Sequence, residues 1–208
     1  MIYNDKFIWL HFPKCAGVKV ESLFRKYYYD VPGLIQDVVD PKNDASASWH
    51  DSVATRLNKN PEFTLGDKEI ICPIRKLPSW LISRYNFECG RSPELNHNPE
   101  LLVTGRFLEA SGVLNHADVY IQNYLPQSLL DKGRVSFLRV ENFEADFIEL
   151  FGKYIDVSII PKEEFAQREN ISKNYLPEEI VHKLISSQEV YTNCPKWFSV
   201  EKLAFSSR

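Results

Sequence analysis

The sequence predicts an α/β fold, a three-layer domain with a central, mainly parallel sheet flanked by helices. Three apolar runs of strand-like composition begin at Phe7, Glu69 and Arg134, and segments with helical spacing separate them. Strands that alternate with helices form a parallel sheet covered on both faces. The chain has 208 residues, of which 44% are hydrophobic and 25% charged, enough for a substantial core. We therefore expect a single domain over residues 1–208.

The remaining elements follow from hydrophobic periodicity and from proline and glycine stops. A short strand or an irregular return is expected at 34–39, and Pro73 suggests a bulge or a strand end. Residues 90–99 are polar and rich in turn formers, which favours a surface loop, and residues 162–174 form a second polar loop. The predicted helices cover 18–29, 45–58, 78–89, 98–112, 117–124, 126–133, 141–151 and 177–190.

Composition and charge exclude several classes of protein. The net charge of -3 argues against a general nucleic-acid-binding surface and leaves a local basic cleft open. No apolar run approaches the roughly 20 residues that span a bilayer, and no signal peptide is recognisable. The four cysteines lack C-x-x-C spacing, which disfavours a zinc site or a disulfide framework. We expect a soluble, cytoplasmic protein with reduced thiols and without a membrane span.

The stretch from Phe7 to Phe24 predicts a strand, an anion-binding loop and a helix. A helix N-terminus offers unpaired N–H groups and the positive end of a dipole. Ala16 and Gly17 let the backbone approach a phosphate closely, and Lys14 adds a mobile positive charge. The loop is P-loop-like but lacks the G-x-x-x-x-G-K-[ST] pattern of nucleotide hydrolases.

Two motifs together resemble those of a known enzyme family. The first is His11-Phe-Pro-Lys-Cys-Ala-Gly17, and the second is Arg75 followed eight residues later by Ser83, after a strand. Both resemble motifs of sulfotransferases that use 3′-phosphoadenosine 5′-phosphosulfate (PAPS). The similarity is greatest to the carbohydrate branch that includes heparan sulfate 2-O-sulfotransferase. Weaker similarities are His50-x-Ser-x-x-x-Arg56, Arg139-Val-Glu-Asn-Phe143 and Glu169-Asn-Ile-Ser172.

The resemblance implies a sulfuryl transfer from PAPS to a hydroxyl acceptor, most simply a saccharide, without a metal ion. Lys14 would stabilise the leaving phosphate, and His50 would be the general base. Glu21 is a less favoured base, since a surface or capping role is ordinary at that position. The residues implied in nucleotide binding are Pro13, Lys14, Cys15, Ala16, Gly17, Val18, Lys19, Arg75, Ser83, Arg168, Asn170 and Ser172.

The chain departs from the family pattern at both motifs. Val18 and Lys19 stand where the family has Thr-Ser, so a hydroxyl is lost, and Lys19 compensates only if its side chain points at the nucleotide. The second motif of the family, R-[ND]-P-x-x-R, is here Arg75-Lys-Leu-Pro-Ser-Trp80, in which the proline is displaced by one position. Arg75 and Ser83 themselves are retained.

Structural roles compete with each functional assignment. His50 could be an exposed helical histidine that Asp51 hydrogen-bonds, and Arg75 could form an ion pair. Trp80 fits a core position better than an adenine platform. A polar surface loop is an equally good interpretation of 168–172. His11, His97 and His116 are predicted to be structural or surface residues, and Glu141, at a strand end, fits a helix cap or a supporting partner as well as a catalytic group.

Two other functions stay open at this point. The first is a kinase-like phosphotransferase, which the missing G-K-[ST] and the presence of Arg75 and Ser83 disfavour. The second is a noncatalytic sulfotransferase-like binding protein, which the altered loop at Val18 and Lys19 makes plausible.

Overall fold

A computed structural model describes residues 1–37, 42, 47–167 and 173–206. Its strands are β1 (Ile2–Tyr3), β2 (Phe7–Trp9), β3 (Ile35–Gln36), β4 (Glu69–Ile74), β5 (Arg106–Leu108), β6 (Leu114–His116) and β7 (Val135–Arg139). Its α-helices are α1 (Gly17–Tyr27), α2 (Val53–Lys59), α3 (Leu77–Arg91), α4 (Ala117–Tyr124), α5 (Gln127–Leu130), α6 (Phe143–Phe151), α7 (Lys162–Ala166), α8 (Glu178–Ser186), α9 (Glu189–Asn193) and α10 (Pro195–Ser206). Short 3₁₀ helices cover Ser48–His50, Pro99–Thr104, Val140–Asn142 and Val157–Ile159.

The chain forms two compact units, each built from two segments. The first unit combines Met1–Ile74 with Pro126–Glu169, and the second combines Arg75–Leu125 with Asn170–Arg208. The first unit contains the sheet, and the second contains α3, α4 and the C-terminal helices. That the whole chain is a single domain stays a prediction.

In the first unit, five of the described strands form one mixed sheet in the order β3-β1-β2-β4-β7. β2, β4 and β7 are parallel, and β1 runs antiparallel to both β2 and β3. The α/β class is therefore confirmed, as are the three predicted parallel strands. Because these strands are parallel, their C-terminal ends lie at one edge of the sheet, where ligands of open α/β sheets bind.

One face of this sheet is covered by α1 and α6. Alternate strand residues, including Trp9, Ile71 and Leu138, pack against apolar side chains from both helices. From α1, Val20, Leu23, Phe24 and Tyr27 contribute to this cluster, and α6 contributes Phe143, Phe147, Leu150 and Phe151. The packing anchors α1 against the sheet and so fixes the loop that precedes it.

Pro73 is the penultimate residue of β4 and pairs in register with Leu138, so the predicted bulge is wrong, and the strand end comes one residue later, at Ile74. The carbonyl oxygen of Ile71 accepts a hydrogen bond from Leu10 N–H at 3.0 Å, which shows that odd-numbered residues of β4 face β2. β2 ends at Trp9, opposite Ile71. The missing N–H of Pro73 therefore points beyond the end of the neighbouring strand, where the ladder does not need it.

The helix predicted over 98–112 is wrong in its second half. A 3₁₀ helix ends at Thr104, and β5 and β6 then form an antiparallel hairpin. Gly105, at φ 74°, ends the 3₁₀ helix, and Gly112, at φ 81°, lies in the hairpin turn. Glycine supplies this left-handed conformation at little cost, so both residues stop a helix.

Other predicted boundaries shift. The helix predicted over 45–58 is divided between Ser48–His50 and α2, because Ser52 caps α2 by accepting from Thr55 N–H at 3.2 Å. Residues 43–46 lie outside the described part. α7 occupies the start of the predicted 162–174 loop, and the final helix splits into α8 and α9. β1 and α10 were not predicted.

In the second unit, α3 contributes both the core and a buried polar cluster. Trp80 is fully buried and packs against Trp197 at a centroid distance of 4.5 Å, which confirms its core role. Arg84 lies 2.7 Å from Glu88 and 3.1 Å from Glu109, and donates to Tyr120 Oη at 2.8 Å. These contacts hold the hairpin and α4 against α3.

Candidate functional site

The connection between β2 and α1, residues 10–16, has a strained backbone; we call it the β2–α1 loop. Lys14 has a φ of 64°, and Ala16 has a φ of 59° with a ψ of 23°. Non-glycine residues rarely adopt this region, at a cost of order 1 kcal/mol each. Cys15 lies outside it. Left-handed residues that alternate with others are typical of backbone concavities that bind anions, but here the Cys15 N–H already donates to the Phe12 carbonyl at 3.3 Å.

The helix that follows adds to the positive character of this loop. The Ala16 carbonyl accepts from the N–H groups of Lys19 at 3.1 Å and Val20 at 3.2 Å, so α1 begins directly after Ala16. Its first turn contains no acidic residue that would offset the positive end of its dipole. Lys14 is partly buried beside it. The arrangement has the properties of a phosphate site.

The two residues that depart from the family pattern differ in exposure. The side chain of Val18 is 42% exposed, whereas Lys19 is only 7% exposed. The pKa of Glu164 is lowered mainly by its hydrogen bond with Lys26, and the charge of Lys19 adds to that effect. Lys19 therefore interacts electrostatically with α7. Its role in nucleotide binding stays a prediction.

A buried, hydrogen-bonded pair joins the β2–α1 loop to α1, formed by His11, expected to be structural or on the surface, and Glu21, the less favoured base. His11 and Glu21 are both 5% exposed, and His11 Nδ1 lies 2.8 Å from Glu21 Oε1. A carboxylate only accepts, so Nδ1 carries the proton. The surface or capping role expected for Glu21 is wrong, since the packing of α1 turns it inward. Its spacing from Gly17, one helical turn, was the available signal, because both residues share a helix face.

Gly17 is in close contact with the same imidazole. A Cβ atom at position 17 would lie 1.9 Å from His11 Nε2 and 2.0 Å from Cδ2, an impossible distance. The φ of Gly17 is outside the left-handed region. Glycine is therefore required here by the His11 ring, a different reason from the close phosphate approach that the sequence suggested.

His50 belongs to the same cluster. Its Nδ1 lies 2.8 Å from the carbonyl oxygen of His11, and the two imidazole centroids are 4.3 Å apart. Because a carbonyl oxygen only accepts, Nδ1 of His50 is the protonated nitrogen, and Nε2 is the basic nitrogen of the neutral ring. The alternative of an exposed histidine bonded by Asp51 is wrong, because His50 is partly buried in a 3₁₀ helix.

Asp51 and Arg56 form a separate structural network. Asp51 lies 2.8 Å from Lys59 Nζ and 3.2 Å from Arg56 Nε. Arg56 also donates to Asp37 through both terminal nitrogens. The motif similarity at Arg56 thus corresponds to ion pairs that hold α2 in place.

Arg75 and Ser83 have the strand-to-helix context that their spacing predicts. Arg75 follows the last residue of β4, and Ser83 is the seventh residue of α3. Both side chains are partly buried. They belong to the second unit, so their joint action with Lys14 stays a prediction from the sequence.

The remaining candidates lie outside the described residues, are exposed at the surface, or form structural contacts. Arg168, Asn170 and Ser172 lie outside the described residues. Glu141 is exposed. Arg139 is paired with Asp146 at 2.6 Å. In the family-like segment that begins at Arg139, the ion pair with Asp146 therefore has a structural role at the end of β7.

Three further observations concern the cysteines, possible metal sites and possible membrane-spanning helices. All four cysteines are buried and none forms a disulfide bond, and burial, together with the nearby Cys15, raises the pKa of Cys72 well above its ordinary value. Among the described residues, no cluster of three or more His, Cys, Asp or Glu side chains could hold a metal ion. Over the same residues, no helix is both long and apolar enough to cross a membrane.

Comparisons with known proteins return nothing: no family model, no curated protein and no solved structure matches the chain. The functional assignment therefore depends on the two sequence motifs and on the geometry of the β2–α1 loop.

Proposed function

We propose that the protein is a PAPS-dependent sulfotransferase that acts on a hydroxyl acceptor, most simply a saccharide. The observation that carries the proposal is the β2–α1 loop, where two left-handed non-glycine residues, Lys14 and Ala16, precede the N-terminus of α1. This geometry supports binding of a phosphate or sulfate group, and the motif around it resembles the sulfotransferase pattern except at Val18 and Lys19.

The residues present fit the nucleotide donor. The amide groups of residues 16–18, at the N-terminus of α1, would hold the 5′-phosphosulfate, with Lys14 supplying the neutralising charge. When bound, the donor would supply an activated sulfuryl group with a phosphate as its leaving group. Lys14 would stabilise negative charge that develops on the leaving oxygen. On the sequence spacing alone, Arg75 and Ser83 would hold the 3′-phosphate.

The acceptor must lose a proton, and His50 is the proposed base. Because its Nδ1 donates to the His11 carbonyl, the acceptor's hydroxyl proton would pass to Nε2. The absence of a metal cofactor is part of the proposal. The four buried cysteines, none of them in a disulfide bond, support a reducing compartment, and we propose a cytoplasmic location.

A noncatalytic, nucleotide-binding role is the second candidate. It is favoured by Val18, whose exposed apolar side chain stands where the family places a phosphate-binding hydroxyl. Such a protein would bind the nucleotide without turnover.

Turnover of PAPS with a panel of saccharide and simple hydroxyl acceptors tests the proposal. We expect transfer by the wild type, loss in Lys14→Ala, and wild-type activity in Lys6→Ala, which removes an exposed lysine before β2. Nucleotide binding without transfer to any acceptor would favour the noncatalytic role. Full activity in Lys14→Ala would contradict the mechanism.

A further inference from the structure

We infer that His11, held in place by Glu21, is a positioning residue that fixes the position of His50 relative to the β2–α1 loop. The inference rests on the proposed function, because it assigns how the proposed phosphate loop and the proposed base are held relative to each other. All the residues involved belong to the first unit.

The first contact ties the two ends of the loop together. His11 lies before the loop's strained residues, and Glu21 lies in the second turn of α1, after them. Their 2.8 Å hydrogen bond connects the strand side to the helix side without passing through the loop backbone. The loop can therefore keep its left-handed residues while its ends are fixed.

The second contact fixes the distance between the His11 ring and α1. The space beside Gly17 that a side chain would fill is occupied by His11 Nε2 and Cδ2. The ring is also packed near Trp9, at a centroid distance of 5.3 Å. A ring with a hydrogen bond on one edge and close packing on another has little freedom to rotate.

The third contact transmits this position to His50. The main-chain oxygen of His11 accepts from His50 Nδ1 at 2.8 Å, and the rings lie 4.3 Å apart. The hydrogen bond sets the tautomer of His50, and the ring contact sets its tilt. A displacement of His11 would therefore disturb the phosphate loop and the base together.

The first test compares Glu21→Ala with Glu21→Gln. Alanine removes the acceptor for His11 Nδ1, whereas the glutamine amide oxygen preserves it. With PAPS and an acceptor, we expect Glu21→Ala to lose on the order of 100-fold in kcat, as misplaced catalytic groups do, and Glu21→Gln to recover most of it. Arg25→Ala is the matched control, because Arg25 is exposed and lies 3.9 Å from the same carboxylate. It should leave kcat unchanged.

Imidazole nitrogen NMR of the unliganded protein gives a readout independent of turnover. In the wild type and in Glu21→Gln, His50 should show one tautomer with the proton on Nδ1. In Glu21→Ala it should show a mixture with the Nε2-protonated form. A single Nδ1 tautomer in Glu21→Ala would overturn the positioning role, whereas absent PAPS turnover in the wild type would refute only the proposed function.

A double-mutant cycle tests the contact between His11 and Gly17. Gly17→Ala should lower the urea midpoint of unfolding in the wild type, because the new Cβ collides with the ring. The same substitution in a His11→Ala background should cost much less, since the space is then open. Equal losses in the two backgrounds would overturn the contact as the reason for glycine. If Gly17→Ala does not fold, folding of the double variant alone would still support it.

Discussion

Two strand-to-helix connections at the same edge of the sheet differ in how their charges and backbone are arranged. Between β7 and α6, Asp146 is fully buried and accepts from Arg139 through the main-chain N–H at 2.8 Å and two guanidinium nitrogens. Asn142 donates to the same carboxylate at 2.8 Å. The β2–α1 loop instead contains two left-handed non-glycine residues, one of which is Lys14.

The comparison separates a scaffold from a candidate site. At β7 the hydrogen-bonding capacity of the buried carboxylate is used within the fold, so the connection is explained by stability alone. At β2 the fold retains backbone strain that a different loop sequence would avoid, and such strain is typical of functional sites. The buried pair of His11 and Glu21 stabilises this strained conformation of the loop.

Removal of Lys14 should have the largest effect and tests the difference between the two connections most directly. Lys14→Ala should lower kcat for sulfuryl transfer by on the order of 1000-fold, because a preorganised positive group at the leaving oxygen is lost. Its urea midpoint should stay near that of the wild type. Steady-state kinetics with PAPS and equilibrium unfolding measure the two quantities, and a loss of stability without loss of kcat would reverse the assignment.

Removal of the buried carboxylate should have the opposite pattern. Asp146→Ala should lower the free energy of unfolding by about 3 kcal/mol, because it leaves Arg139 and its main-chain N–H without their acceptor. Urea denaturation measures the effect. Asp131→Asn, which changes an exposed aspartate, is the control and should stay close to the wild type. A similarly small effect in Asp146→Ala would show that this connection is not held by the pair.

Substitution of the proposed base should affect turnover more than binding. His50→Ala should lower kcat by about 100-fold while nucleotide affinity is largely retained, because His50 acts on the acceptor proton. His182→Ala, at an exposed position on α8, is the matched control. Kinetics together with nucleotide titration separate the two effects, and an unchanged kcat would exclude His50 as the base.

The smallest effect is a pH dependence of stability from Asp146. Burial opposes its charge, but the hydrogen bonds from Arg139 and Asn142 outweigh this and hold its pKa below the ordinary value of 3.8. Its contribution is therefore complete above pH 3.8 and is lost as the pH falls through the lower folded pKa. The difference in unfolding free energy between the wild type and Asp146→Asn should shrink from about pH 6 to about pH 2. A constant difference would contradict the assignment.

The sequence predicted the parallel strands because each is a continuous apolar run followed by helical spacing. β1 was not predicted because two residues are too few to show a periodicity. The β5–β6 hairpin was not predicted because Gly105 and Gly112 were not both interpreted as helix stops. Local patterns are sufficient for long, regular elements. They fail where one glycine decides between helix and hairpin.

Within the candidate site, the sequence identified Lys14 and the loop but not the pair beneath them. His11 and Glu21 are ten residues apart and meet only because the loop folds α1 back against β2. The left-handed conformation of Lys14 and Ala16 likewise has no signature in residues that are not glycine. The tertiary structure, more than propensity, determines these features.

The most direct test of the central claim is a calorimetric titration of the nucleotide product, 3′-phosphoadenosine 5′-phosphate. If the β2–α1 loop holds the 5′-phosphate and Arg75 the 3′-phosphate, the wild type should bind this nucleotide more tightly than ATP or GTP. Lys14→Ala and Arg75→Ala should each weaken binding at least about tenfold, as expected for a lost charge-assisted phosphate contact. Equal affinity in the wild type and Lys14→Ala would show that the loop is not the phosphate site.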